Sequence, residues 1–413
     1  MTVLRRLLGG ERRGSVEDPS EPLTSKKLLS LYAGAETEAG EEVSPESAYR
    51  MTAVYRAVAL LSGLISGLPL HAYRRRDDGG RERLDIGLIR DPHPEQTPME
   101  IFEFAAQSLL TYGNAYFIKH RNANKFVQWI EPIHPGRVSV TVDERWQRLQ
   151  NPTGKRIGVH EGTGVRWYDP SEYGEIMHIP GPSKDGVTGM SPIAQARQAI
   201  GLSLASERYA AKMFSRGALP QGVLQAEGEL NQEQAEALKQ SWASKTAGPE
   251  NQWSIPVLDS GAKYEALTLP PADAQYIEIR RFSIAEIARL YGIPPHLLAD
   301  VERSTSWGSG IETQNMQMLT FTLDPWLTRI EQRIKKSGLL MGTQADYVRF
   351  SRAALLRADT ETRYLAYQRG VTHGWLSQDE VRQLEDMDPQ PGGNGDRYYR
   401  PANLTPVDED DSG

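Results

Sequence analysis

An α+β fold is predicted by three features of this chain. Short strand-like pieces run from Phe126 to Ile179 beside amphipathic helices, two long helical segments bracket a small mixed unit, and a proline-interrupted helix follows the second of them. The 413 residues hold material for roughly two to three domains, enough for a sizeable core.

Residues 1–44 are rich in Gly, Ser and Glu without periodicity and are predicted to form a flexible arm. From Ser47 to Leu68, Val54, Val58, Leu61, Ile65 and Leu68 recur at helical spacing before Pro69, and "LPLHAYRR" reads as the strand that follows. Thr97, Pro98 and Glu100 write a capping box with proline at the first helical position, and Gly113 ends that helix ahead of the strand "NAYFIKH". The pieces "VQWIEPI", "RVSVTV", "GVRWY" and "EIMHI" follow, separated by Pro, Gly, Asn and Asp.

Ser191-Pro192 opens a long helix that runs to about Gly217. A unit of about fifty residues comes next: strand "GVLQA", a helix from Asn231 to about Lys245, and strands "WSIPVLD" and "KYEALTL". A second long helix, Pro271 to Tyr291, returns and is closed by Gly292 and Pro294. The chain thus goes out along one helix, builds a tip and comes back along another.

After the return, Ser309 and Glu312 form a second capping box, so a helix begins at Gly310; Lys335 and Lys336 suit its negative end and Gly338 stops it. Leu319, Leu323, Trp326, Leu327, Ile330 and Ile334 make one apolar stripe across Pro325. Because Pro325 has no N–H for the Phe321 carbonyl, a kink is expected at Asp324-Pro325, costing about 3 kcal/mol if uncompensated. Ser377 and Glu380 supply a third capping box, and the segment from Pro389 ends in an acidic run that reads as a solvated tail.

Composition narrows the chemistry. The absence of cysteine excludes disulfides, thiolate metal sites and a Cys nucleophile. A formal charge of −7 gives no global basic footprint for tight nucleic-acid binding. The longest uncharged run, Ala57 to Tyr73, is broken by Ser, Gly and Pro and falls short of the roughly 18 residues a membrane span needs, so no membrane partner is expected.

"GPSKDGVT", Gly181 to Thr188, approaches the phosphate-binding loop pattern, but Val187 stands where its lysine belongs. The eight histidines show no metal spacing, and His178 among apolar neighbours reads as a satisfied core residue. No catalytic residue, metal or cofactor is predicted. Arg208, Lys212, Arg280 and Arg281 on the two long helices offer basic contacts to a phosphate backbone, the alternative being salt bridges to Glu207, Glu278 and Glu286. The unit between, Ala218 to Leu269, holds seven acidic and three basic residues, which suits docking to a protein.

The segments "MTAVYRAVALLSGLISGLPLHAY", "TYGNAYF", "EPIHPGRV", "GVTGMSPIAQARQAIGL", "EIARLYGIPPHLLAD" and "SGIETQNMQMLTFTLDPWLTRIEQRI" resemble, in the same order, the portal proteins of long-tailed double-stranded DNA bacteriophages and of gene-transfer particles. The resemblance runs from about Ser44 to Arg357. It implies a phage portal fold: a wing at 45–190, stem helices at 191–217 and 270–292, an α/β clip at 218–269, a tunnel loop and kinked helix at 293–356, a small helical crown at 357–390, and an acidic tail at 391–413. The crown segment is short and carries less of the family's signature.

The resemblance also implies a homo-oligomeric ring, usually dodecameric, at one capsid vertex of a virion assembled in the host bacterial cytoplasm. Its partners would be double-stranded DNA held without sequence preference, the major capsid protein, the terminase large subunit and head-completion or adaptor proteins. Ser304, Thr305, Ser306, Trp307, Gly308 and Ser309 would form the loop into the channel, short and uncharged except for the bulk of Trp307. The alternatives are a head-associated enzyme with a degenerate phosphate-binding loop, and a scaffold or adaptor without a DNA channel.

Overall fold

The computed structural model describes residues 35–148, 151–162, 164–215, 222–225, 231–233, 236–237, 240, 263–266, 272–298, 314, 316–352, 360–385 and 387–399. They divide between two compact units, Met1–Arg349 and Phe350–Gly413. Helices and antiparallel sheets are mixed throughout the first unit, as an α+β fold requires.

The predicted N-terminal arm gives way to structure before residue 44. β1 (Ala35–Glu36) and β2 (Glu42–Val43) form a hairpin closed by Thr37 and Gly40, and Val43 is buried. The single helix expected over Ser47–Leu68 is two helices. A Ser44/Ser47 capping box folds α1 (Pro45–Ala48), and the extended backbone at Met51 restarts the chain as α2 (Thr52–Ser66). Its predicted stripe is buried: Val54, Val58, Leu61 and Ile65 are all within 1% of complete burial.

β3 (Leu70–Arg75) pairs with β4 (Arg81–Leu84), a strand whose charged sequence gave no strand signal. After α3 (Gly87–Arg90), the Thr97/Glu100 box starts α4 (Pro98–Tyr112), and Gly113 ends it at φ +74°. β5 (Asn114–Arg121) is the centre of a three-stranded sheet, between β6 (Val127–Ile133) and the later strand β10 (Ile176–Pro180). A second three-stranded sheet orders β7 (Val138–Val142), β8 (Lys155–Glu161) and β9 (Gly164–Tyr168). Between these sheets, Tyr116, Ile118, Ile133, Val140, Ile157, Val159 and Ile176 share one core. β8 was absent from the sequence reading; its Lys, Arg, Gly and His dilute the alternation of Ile157 and Val159.

The long helix predicted from Ser191 is also divided. Ser191 caps α5 (Pro192–Gln195), the backbone leaves helical geometry at Ala196, and α6 (Arg197–Ser215) continues. β11 (Gly222–Gln225) pairs with β12 (Lys263–Ala266), and α7 (Ala272–Tyr291) returns to pack on α6 and α2. The predicted strand "WSIPVLD" lies outside the described residues, as does most of the helix expected from Asn231.

A π-helix, Met318–Leu323, leads into α8 (Asp324–Lys336), and β13 (Tyr347–Phe350) joins the β3–β4 sheet. The second unit holds α9 (Thr360–Thr372) and α10 (Gln378–Leu384), the latter started by the predicted Ser377/Glu380 box. The tail expected to be solvated from Pro389 is tied back as far as Tyr398. Asp379 takes the Gln390 N–H at 2.8 Å, the Asp379 N–H donates to the Gly395 carbonyl, and the Tyr398 hydroxyl donates to Glu380 at 2.9 Å.

Candidate functional site

The predicted loop, Ser304, Thr305, Ser306, Trp307, Gly308 and Ser309, lies outside the described residues, and so does the Ser309/Glu312 cap. The helix that follows them is described from Met316 onward. Pro325 cannot close an α-helical bond to Phe321, and the turn before it is the wider π form. That extra residue turns the buried stripe: Met318, not Leu319, joins Leu323, Leu327, Ile330 and Ile334 in the core. Phe321 is left 75% exposed.

Polar bonds fix this helix at three heights. The Thr322 hydroxyl donates to the Gly292 carbonyl at 2.6 Å, at the end of α7. The Arg329 guanidinium donates to the Pro180 and Gly181 carbonyls at 3.0 and 3.2 Å, where β10 ends. At the C-terminus, the Lys119 ammonium donates to the carbonyls of Ser337, Ser171 and Glu172 at 2.6, 3.2 and 3.2 Å. Lys119 is a strand residue only 3% exposed, and burial pushes its pKa down to about 7. Gly338 follows at φ +70°, the left-handed turn the sequence predicted.

The glycine-rich loop Gly181–Thr188 is filled from within. Asp185 Oδ1 accepts the Val187 and Thr188 N–H groups at 2.7 and 2.9 Å and the Ser183 hydroxyl at 2.8 Å, while Oδ2 accepts the Thr188 hydroxyl at 3.0 Å. These bonds hold the Asp185 carboxyl below its usual range against the opposing effect of burial. A carboxylate therefore sits where a phosphate would bind backbone N–H groups, which is the wrong charge for a nucleotide site.

Behind that loop lies a buried polar chain. Lys155 donates to the Val187 carbonyl and to His178 Nδ1, and His178 Nε2 donates to Asn114 Oδ1 at 2.9 Å. Asn114 completes the chain with both backbone groups of Gly189 at 2.8 Å. Burial, with Arg333 nearby, lowers Lys155 to about 7. Burial and the Lys155 charge hold His178 neutral, well below the usual imidazole range, as its stacking on Tyr116 at 4.6 Å also suits. His178 is the satisfied core residue its neighbours implied. At Gly113 and Gly189 backbone meets backbone: a β-carbon would fall 2.1 Å from the Met190 carbonyl oxygen at the first and 1.9 Å from the Gly113 carbonyl oxygen at the second.

Of the basic residues singled out on the long helices, Arg208 pairs with Glu41 of the N-terminal hairpin at 2.7 Å, not with an acid of its own helix pair. Lys212 and Arg281 are exposed; Arg280 lies on α7, and its side chain is outside the description. Arg289 does pair with Glu286, one turn away on α7. These two helices also expose Leu202, Tyr209 and Phe282, at 48%, 49% and 57%. Among the described residues no group of three or more His, Cys, Asp or Glu is arranged to hold a metal, and no helix is long and apolar enough to cross a membrane.

Residues 52–386 match the family model described as phage portal protein. The chain is 34% identical over 398 residues to the probable portal protein of Streptomyces phage phiC31, covering 92% of this chain and 84% of that one. It is 30% identical over 389 residues to the portal protein of Enterobacteria phage HK97, covering 88% and 85%. Among solved structures it resembles a chain from the neck of a native gene transfer agent particle computed with C12 symmetry, with a TM-score of 0.56, 21% identity, and coverage of 84% of this chain and 92% of that one.

Proposed function

The chain belongs to the phage portal protein family, and from that membership we propose that it forms a closed ring, a dodecamer, through which double-stranded DNA enters and leaves a capsid. Portal proteins are structural components of the virion at a capsid vertex. The observation that carries the ring is the apolar surface on α6 and α7: Leu202, Tyr209 and Phe282 are half exposed on long helices, as side chains awaiting a neighbouring subunit would be. The C12 symmetry of the gene transfer agent neck supports twelve copies.

In this reading residues 304–309 reach into the channel, where short uncharged side chains touch DNA without the counterion-release affinity that would hold it fast. The helix bent at Asp324-Pro325 carries that loop. α6 and α7 act as stem helices, the acidic unit between them docks the terminase large subunit and later the head-completion proteins, and the wing seats against the major capsid protein. The Asp185-filled loop weighs against an enzyme built on phosphate binding.

Averaged electron micrographs of the purified chain test this directly. Twelvefold rings with an open centre of duplex width are expected. Rings with a closed centre would leave an adaptor without a channel, and monomers at every concentration would overturn the ring itself.

A further inference from the structure

One face of α8 carries positive charge that little around it balances. Opposite the buried stripe, Arg329, Arg333 and Lys336 recur at helical spacing along a groove of about 690 Å³ between α8 and the end of β10. Asp324, Thr328 and Gln332 complete its polar lining, so three cations face one carboxylate, at the N-terminal end of the helix.

Arg329 is fixed in place. Its guanidinium donates to the Pro180 and Gly181 carbonyls and lies 5.8 Å from the centre of the Trp326 ring. Arg333 is held differently: among the described residues no hydrogen bond or ion pair engages its guanidinium. It is half-buried, lines the groove, and acts electrostatically on the buried Lys155 and His178. Burial and the Arg329 charge lower its own pKa, and no carboxylate offsets them.

A charge drawn out of water is costly without an opposite charge, and a like charge beside it adds to the cost. Here the counter-charge is missing and the groove leaves room for it. The spacing indicates its kind. From Arg329 to Lys336 the helix rises about 10 Å, so one sulfate cannot meet all three cations. Guanidinium forks take phosphate oxygens in pairs, and an ammonium meets phosphate as a point charge. Linked phosphates present oxygens all round and repeat along their length, as a row of cations requires.

The geometry points to an oligophosphate site on α8, in which Arg329 and Arg333 share one phosphate and Lys336 takes the next. Such phosphates come from a free oligophosphate or from a nucleic-acid backbone. The groove lies within a single chain, so this inference stands or falls apart from the ring.

Calorimetric titration of the full chain with inorganic tripolyphosphate, at low ionic strength, tests it. One site per chain is expected, weakened at least about tenfold by Arg333→Gln and about threefold by Lys336→Gln. Lys335→Gln, whose side chain does not line the groove, should leave it unchanged. Sulfate at the same concentration should not bind. Without ligand, Arg333→Gln should melt no lower than the parent, because it removes a charge that has no partner; should it melt well below, Lys336→Gln decides the site alone. A short DNA duplex that displaces tripolyphosphate from the parent chain identifies the source as a backbone, and one that does not identifies a free oligophosphate; both keep the site. No binding of tripolyphosphate, binding that survives both groove substitutions, or an equal loss in Lys335→Gln overturns it. A Glu-rich peptide that takes the groove in preference to tripolyphosphate overturns the phosphate assignment as well.

Discussion

Lys119 Nζ lies 2.6 Å from the carbonyl oxygen of Ser337, 218 residues further along the chain, so α8 ends on a buried ammonium. A cation at a helix C-terminus faces the negative end of the dipole and satisfies a carbonyl that has no partner within the helix. Lys119→Met keeps the aliphatic stem but leaves the buried Ser337 carbonyl and the half-buried Ser171 carbonyl without this donor, while the Glu172 carbonyl keeps Arg121. A loss of about 3 kcal/mol is expected in urea unfolding. An unchanged midpoint would mean that water replaces the ammonium.

His178 sets an acid limit. Its folded pKa is depressed well below 6.5, so as pH falls below 6.5 the unfolded chain takes up a proton that the folded chain refuses. Stability from this residue is therefore constant above pH 6.5 and declines below it, by at most about 1.4 kcal/mol per pH unit. His178→Gln should flatten the difference between urea midpoints at pH 7.5 and 5.5 relative to the parent chain. A variant with the same acid slope would assign the slope to another group.

Asp185→Ala removes the carboxylate from the glycine-rich loop and strands the Val187 and Thr188 N–H groups. The substitution should lower stability by about 2 kcal/mol, and added sulfate should restore part of the melting temperature by occupying the vacated position. Sulfate should do nothing for the parent chain. Equal sulfate responses in both would place the anion elsewhere.

Pro325→Ala restores the missing N–H and removes the cause of the wide turn ahead of it. Ring formation should be kept, with stability within about 1 kcal/mol of the parent, because the buried stripe Leu327, Ile330 and Ile334 is untouched. If, as proposed, residues 304–309 form a channel loop carried on this segment, DNA packaged per particle should fall. Normal packaging by this variant would detach the proline from the loop's position.

The helix starts were legible because their signals are local. Thr97 with Glu100 and Ser377 with Glu380 are three residues apart, and both boxes form as written. The glycine stops at Gly113 and Gly338 are legible for the same reason, since each takes a left-handed φ, although close approach of distant backbone at both positions was not. What the sequence concealed depends on distance along the chain. Nothing near Lys119 announces Ser337, and nothing near His178 announces Lys155 or Asn114. Strand β4 was hidden for another reason: "RERL" carries charge on both faces, so no alternation marks it. The π turn was invisible too, because a stripe at 3.6-residue spacing does not reveal one residue too many. The proposed channel loop, 304–309, rests on resemblance alone and lies outside the described residues.

The wide turn at Met318–Leu323 amounts to one residue of slack wound into an otherwise regular rod. Removing a single residue from that stretch would let the rod rewind to ordinary pitch without shifting the anchors at either end, whereas the same deletion within α8 would rotate everything before it by about 100°. The stretch is thus a spare coil set just ahead of the anchors that tie α8 to the end of β10 and to Lys119.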